Sequence, residues 1–197
     1  DNLITLHQRK DVYKCIKHSG GYFPFRKPKT ITWEQRKFLD LVTRVSKSSS
    51  EDKLPRVEYE DIISGQGILN KDIFDKESYK RGLEFEIGDT LFGKLRPYLQ
   101  NWLLADFNGI AVGDWWVLRP NGISNKFIYN LIQSSNYQVV ANLSTGTKMP
   151  RSDWNVVSQT EFAVPRDLEE QEKIGSFFTN IDNLITLHQR KVLGIKN

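Results

Sequence analysis

Two short stretches gather side chains that could hold a polyanion. In GDTLFGKLRPYLQNW, residues 88–102, Lys94, Arg96, Tyr98, Gln100 and Asn101 crowd the segment after a strand-like run. In ANLSTGTKMPRSDW, residues 141–154, Asn142, Ser144, Thr145, Thr147, Lys148, Arg151 and Ser152 surround Gly146 and Pro150. Short hydroxyls and amides donate to phosphate oxygens, and Arg or Lys can take the acceptor edge of guanine. Taken singly, each residue suits a solvated turn. As a cluster, Lys94, Arg96, Tyr98, Asn101, Ser144, Thr145, Gly146, Thr147, Lys148 and Arg151 point to a DNA-binding surface.

Other chemistry is poorly served. Gly88 to Lys94 fits G-x-x-x-x-G-K, yet Leu95 stands where a P-loop needs Ser or Thr for Mg²⁺. Asp89 would repel phosphate, and Arg96-Pro97 does not open a helix that could present its amides. The acidic groups Glu58–Asp61 and Glu84–Asp89 have metal-ligand chemistry but read as solvated strand and loop ends. Cys15 is the only cysteine, and His7, His18 and His188 lie far apart, so a zinc site is not expected. No Ser/His/Asp ordering or Cys/His pair supplies a nucleophile. The expectation is a non-catalytic chain with no metal and no cofactor of its own.

Charge is uneven along the chain. The net charge is +4. Residues 90–152 carry Lys94, Arg96, Arg119, Lys126, Lys148 and Arg151 against only Asp106 and Asp114, and acidic stretches flank them. A basic middle permits a nucleic-acid face without demanding one. A lone cysteine excludes an intrachain disulfide and suits a reducing cytoplasm. No apolar run approaches the roughly 18 residues of a membrane span. Asp1-Asn2-Leu3 does not open a secretory leader. A cytoplasmic protein without membrane contact is expected.

These residues must be positioned by a fold. Over 33–165, strand-like runs at Leu54–Tyr59, Gly88–Phe92, Ile110–Leu118 and Glu161–Val164 are broken by Gly, Asn and Pro. Helices are expected at Trp33–Val45 and after Ser124, a good N-cap, with Phe127, Ile128, Leu131 and Ile132 on one face. The pattern predicts an α+β (mixed α/β) domain, with Trp102, Trp115, Trp116 and Trp154 in its core.

A long helix follows. Asp167 with Glu170 reads as a capping box. Ile174, Phe177, Phe178, Ile181, Leu184, Ile185, His188, Val192 and Ile195 then recur at three- and four-residue steps, which is a seam. From 168 to 195 such a helix spans roughly 42 Å at about 1.5 Å per residue, so its stripe must bury against another helix. Ile174, Phe177, Phe178, Ile181, Leu184, Ile185 and His188 are the expected interface. The decapeptide DNLITLHQRK of 182–191 also stands at 1–10. The first copy reads as the tail of an equivalent helix. The expected division is therefore a spacer-helix remnant and linker (1–32), a domain (33–165) and a spacer helix (166–197).

Several stretches together carry a resemblance. WEQRK (33–37), LPRVEYEDIISGQGILNKDI (54–73), GDTLFGKLRPYLQNWL (88–103), GIAVGDWWVLRP (109–120), STGTKMPRSDW (144–154) and EEQEKIGSFFTNIDNLITLHQRK (169–191) resemble, in order, the DNA-specificity subunit of type I restriction-modification systems. The resemblance implies target-recognition domains that each read half of a bipartite duplex site, with helices forming a coiled-coil spacer between them. It also implies partners: modification subunits that use S-adenosylmethionine to methylate adenine, and restriction subunits that use ATP and Mg. The subunit itself is not catalytic. This chain departs from the family in carrying one recognition domain, as a half-length form would. A homodimer through the C-terminal helix would supply two; equally, the chain reads as a fragment of a two-domain subunit or a swappable domain of a recombining locus. Two other readings stand beside it: a protein-interaction scaffold that binds no DNA, and a metal-dependent nuclease built on the acidic strand ends.

Overall fold

The computed structural model describes residues 32–74, 79–143 and 148–192. The first copy of the decapeptide, Cys15, Ser144–Thr147 and Ile195 lie outside them. The stretch 33–45, expected as one helix, is instead strand, turn and strand. β1 (Trp33–Lys37) pairs antiparallel with β12 (Glu161–Pro165), and β2 (Val42–Val45) pairs with β11 (Trp115–Pro120). Only the single turn α1 (Phe38–Leu41) between them is helical. Trp33, Phe38, Leu41, Val42 and Val45 mimic helical spacing, but pairing with distant strands and β-branched Val42, Thr43 and Val45 decide the outcome.

Two four-stranded sheets form the body of the domain. One runs β3 (Ser48–Ser49), β7 (Gly82–Phe85), β10 (Gly109–Ala111), β4 (Arg56–Val57), with only the β10–β4 pair parallel. The other runs β2, β11, β8 (Thr90–Gly93), β9 (Trp102–Leu104), all antiparallel. A short ribbon joins β5 (Ile62–Ile63) to β6 (Ile68–Leu69). The run 110–118, expected as one strand, is cut at Gly113, whose φ of 109° sends the chain from one sheet to the other. Likewise Arg56–Val57 is the only strand within 54–59, and the run 88–92 becomes strand at Thr90.

Side-chain alternation builds two cores. Val57, Phe85 and Ala111 from the first sheet meet Leu91, Leu103, Trp115 and Val117 from the second in one buried cluster. The neighbours Phe92 and Trp116 point the other way and stack across the strands, 5.7 Å between ring centroids. There they meet Tyr137, Phe38 and Phe162, and the buried Tyr137 phenol is pushed up in pKa by desolvation. The paired tryptophans of WW thus serve opposite faces. Trp102, Trp115 and Trp116 are buried, whereas Trp154 is half-buried with Arg44 over its ring, 4.6 Å from the centroid.

Helices cover this second face. Ser124 caps α2 (Asn125–Gln133), as its sequence position promised, and Ser134 caps α3 (Ser135–Ala141). Asp153 caps the short α4 (Trp154–Gln159). α5 (Leu168–Val192) begins where the Asp167 carboxylate accepts the Glu169 N–H at 3.0 Å.

The first half of α5 is keyed to its own domain rather than left as a seam. The buried Gln171 side chain accepts the Ser124 N–H at 2.9 Å and donates to the Pro165 carbonyl at 2.8 Å. A Cβ on Gly175 would fall 2.5 Å from Lys126 Cβ, so glycine lets α5 lie close on α2. Ile174 and Phe178, expected at an interface with another helix, are buried in this packing. Phe177, Leu184 and His188 are exposed, and Ile181 and Ile185 half-buried. The described helices include none long and apolar enough to cross a membrane.

The acidic strand ends also differ from expectation. Asp61 and Asp89 are buried, not solvated. Asp61 accepts the Glu58 N–H at 2.8 Å and pairs with Lys71 at 2.8 Å. Asp89 accepts the Glu86 N–H and holds Arg119 in a two-point bridge at 2.9 and 2.8 Å. Among the described residues no cluster of three or more His, Cys, Asp or Glu could hold a metal ion.

Candidate nucleic-acid interface

The two polar stretches singled out by composition are stitched together. Lys94 to Arg96 runs alongside Pro150 to Ser152. Leu95 and Arg151 form an antiparallel bridge, the Arg96 N–H donates to the Pro150 carbonyl at 2.7 Å, and Ser152 N–H donates to the Lys94 carbonyl at 2.9 Å. Residues some fifty positions apart thereby share one surface. Ser152 is buried, its hydroxyl donating to the Ala141 carbonyl at 2.8 Å, so it anchors this segment to α3.

Asp114 sits at the centre. Arg151 directs both Nε and Nη2 onto Asp114 Oδ2, at 3.3 and 3.0 Å, and Lys94 Nζ lies 3.5 Å from Oδ1. The backbone carbonyl of Asp114 is held as well, by the Lys94 N–H at 3.0 Å and the Tyr59 hydroxyl at 2.5 Å. Tyr59 in turn accepts the Leu95 N–H at 3.2 Å and packs edge-on against Trp115. Burial pushes the Tyr59 phenol well up, so it stays a donor at ordinary pH. Sequence reasoning missed both Asp114 and Tyr59. The only signal was that Asp114 follows a glycine at the junction of two strand-like runs.

The corner beyond Lys94 is strained. Arg96 and Gln100 are the two non-glycine residues with positive φ among those described, at 50° and 56°, and they bracket the turn Pro97–Leu99. Left-handed backbone costs a non-glycine residue about 1–2 kcal/mol. The turn is tied down by the Gly65 N–H to the Gln100 carbonyl at 2.9 Å, and by Ser64, whose hydroxyl donates to the Leu99 carbonyl. Tyr98 is pushed outward, 57% exposed. Arg96 is half-buried, and its Nε is buried without a hydrogen-bond partner.

The ten expected surface residues therefore separate. Lys94, Arg96, Tyr98, Lys148 and Arg151 come together at or near the stitched segments, with Lys148 and Arg151 exposed. Asn101 is buried, its carbonyl accepting the Gly93 N–H at 2.8 Å beneath the corner. Ser144, Thr145, Gly146 and Thr147 fall outside the described residues. Of the segment's other amides, Asn142 donates to the Gln138 carbonyl at 2.7 Å and so closes α3. Only the single 3₁₀ turn Pro97–Leu99 follows Gly93-Lys94 before the next strand, not the α-helix that a P-loop needs to present its amides.

Solved structures share this fold. One is a chain from a study of complex assembly and conformational transition of the type I R-M system, with TM-score 0.62 and 20% identity over 87% of this chain and 47% of that one. The HsdS subunit from Thermoanaerobacter tengcongensis aligns at TM-score 0.61 and 22% identity, covering 85% of this chain and 46% of that chain. A type I restriction-modification S subunit from M. genitalium gives TM-score 0.54 and 16% identity over 81% and 41%. This chain spans less than half the length of each. No curated protein matches it in sequence. The profile of the type I restriction modification DNA specificity domain matches residues 30–197, and the chain belongs to that family.

Proposed function

We propose that this chain recognises one half of a bipartite duplex site and directs adenine methylation and restriction by partner subunits to it. The observation that carries this reading is the stitching of Lys94–Arg96 to Pro150–Ser152, which sets two segments rich in cations and donors side by side. The chain itself contributes recognition and not catalysis. S-adenosylmethionine, ATP and Mg belong to the modification and restriction subunits in this reading, and the assembly works in the cytoplasm.

The other half-site needs a second recognition domain. The chain covers less than half of the solved S subunits, so that domain comes either from a longer chain or from a second copy. The distal half of α5, with Leu184 and Leu187 exposed, supports a coiled-coil contact that would set the gap between half-sites. A two-fold pair would read a palindromic target.

A duplex-binding titration at several salt concentrations tests the surface. Parent affinity should fall steeply with salt, because cations that meet phosphate release counterions. Lys148→Ala should weaken binding to all sequences and flatten the salt slope by about 1, and Arg151→Ala should also reduce discrimination between sequences. Unchanged binding by both variants would move the interface elsewhere. A parent that binds no duplex even at low salt would favour the scaffold reading, in which the exposed face of α5 is the working surface.

A further inference from the structure

The candidate interface has a carboxylate at its centre, where simple attraction to DNA would place none. Asp114 faces Arg151 and Lys94 at hydrogen-bonding and ion-pair distance, and its side chain is only 29% exposed. Its carbonyl is clamped by Lys94 N–H and the Tyr59 hydroxyl, so the carboxylate is fixed from behind. A negative charge there repels phosphate and lowers affinity for every duplex. Its benefit must therefore be something other than affinity.

We propose that Asp114 is the specificity-determining residue of this surface, holding the Arg151 guanidinium and the Lys94 ammonium in the direction that reads base edges while keeping phosphate out. An arginine reads guanine through a planar, two-point geometry. A free arginine side chain loses rotamer entropy on adopting that geometry and can as easily settle on a phosphate. Two N–H groups of Arg151 on one Asp114 oxygen fix the plane beforehand. Gly113, with φ of 109°, turns the chain so that Asp114 arrives beside residues from two distant segments. Asp114 thus acts through Arg151 and Lys94 as a positioning residue.

This inference rests on the DNA-recognition reading, and its test separates the two. The parent chain selects duplexes from a randomised double-stranded library. Parent and Asp114→Ala, which removes both acceptor oxygens but keeps the backbone carbonyl held by Lys94 N–H and Tyr59, are then titrated with the selected duplex and with a scrambled one at equal salt. Thermal unfolding of both proteins checks that the fold is kept. The proposal expects binding of the scrambled duplex to hold or tighten, binding of the selected duplex to weaken, and their ratio to fall about tenfold or more, the scale of one two-point base contact. A matching gain on both duplexes would overturn it, because Asp114 would then be only a repulsive charge. An unchanged ratio would overturn it too. If the parent itself selects nothing, the recognition reading fails and the proposal falls with it.

Discussion

Arg119 and Asp89 show at the scale of single residues how charge in this chain is spent on architecture before function. The basic middle read from composition contains Arg119, yet that side chain is bound to buried Asp89 and to Glu86 at 3.2 Å, and its pKa is held up by the Asp89 carboxylate. Asp89 in turn caps the turn that launches β8. Asp89→Ala leaves the Glu86 N–H without its acceptor and the arginine without its partner. Chemical denaturation should show a loss of about 1–3 kcal/mol, and an unchanged midpoint would mean water replaces the carboxylate fully. Lys94, Arg96 and Arg151 were visible in sequence because cationic and small polar residues crowd around Gly and Pro. Asp114 was not visible: a single aspartate between Gly113 and Trp115 has no spacing that announces partners some twenty and nearly forty positions away.

Elements were legible where their cause is local. α2 follows from a serine cap and an apolar face, and α5 from an aspartate cap and a long three-four repeat. The stretch 33–45 was not legible, because its strands are made by β12 and β11, which lie far along the chain. The repeat in α5 also hid a division of labour. Ile174 and Phe178 are buried beside Gly175, which lies against α2, while Leu184 stays 66% exposed. Leu184→Asp should consequently leave the unfolding of the isolated chain unchanged within about 0.5 kcal/mol, as surface substitutions do. It should nonetheless abolish self-association or co-purification with a modification subunit, read by sedimentation. An identical assembly state in the variant would show that this face of α5 has no partner.

At the scale of the molecule, the described residues join a mixed α+β domain to the long helix α5. Gln171 and Gly175 fix the exit of α5 against α2, so the direction of the helix is tied to the domain that carries Lys94, Asp114 and Arg151. In the proposed reading, where α5 spaces two half-sites, that tie must be stiff, since the gap between them is a distance. The ordered resemblance of segments, more than composition or charge, carried the functional reading from the sequence, and the family match now supports it over 30–197. The most direct measurement is adenine-methylation mapping of host DNA when this chain is co-expressed with a modification subunit. The account predicts a new bipartite methylated motif, palindromic if two copies of the chain assemble, and lost when Arg151 and Lys148 are both replaced by alanine. Co-purification of the two proteins with no new methylated motif would contradict it.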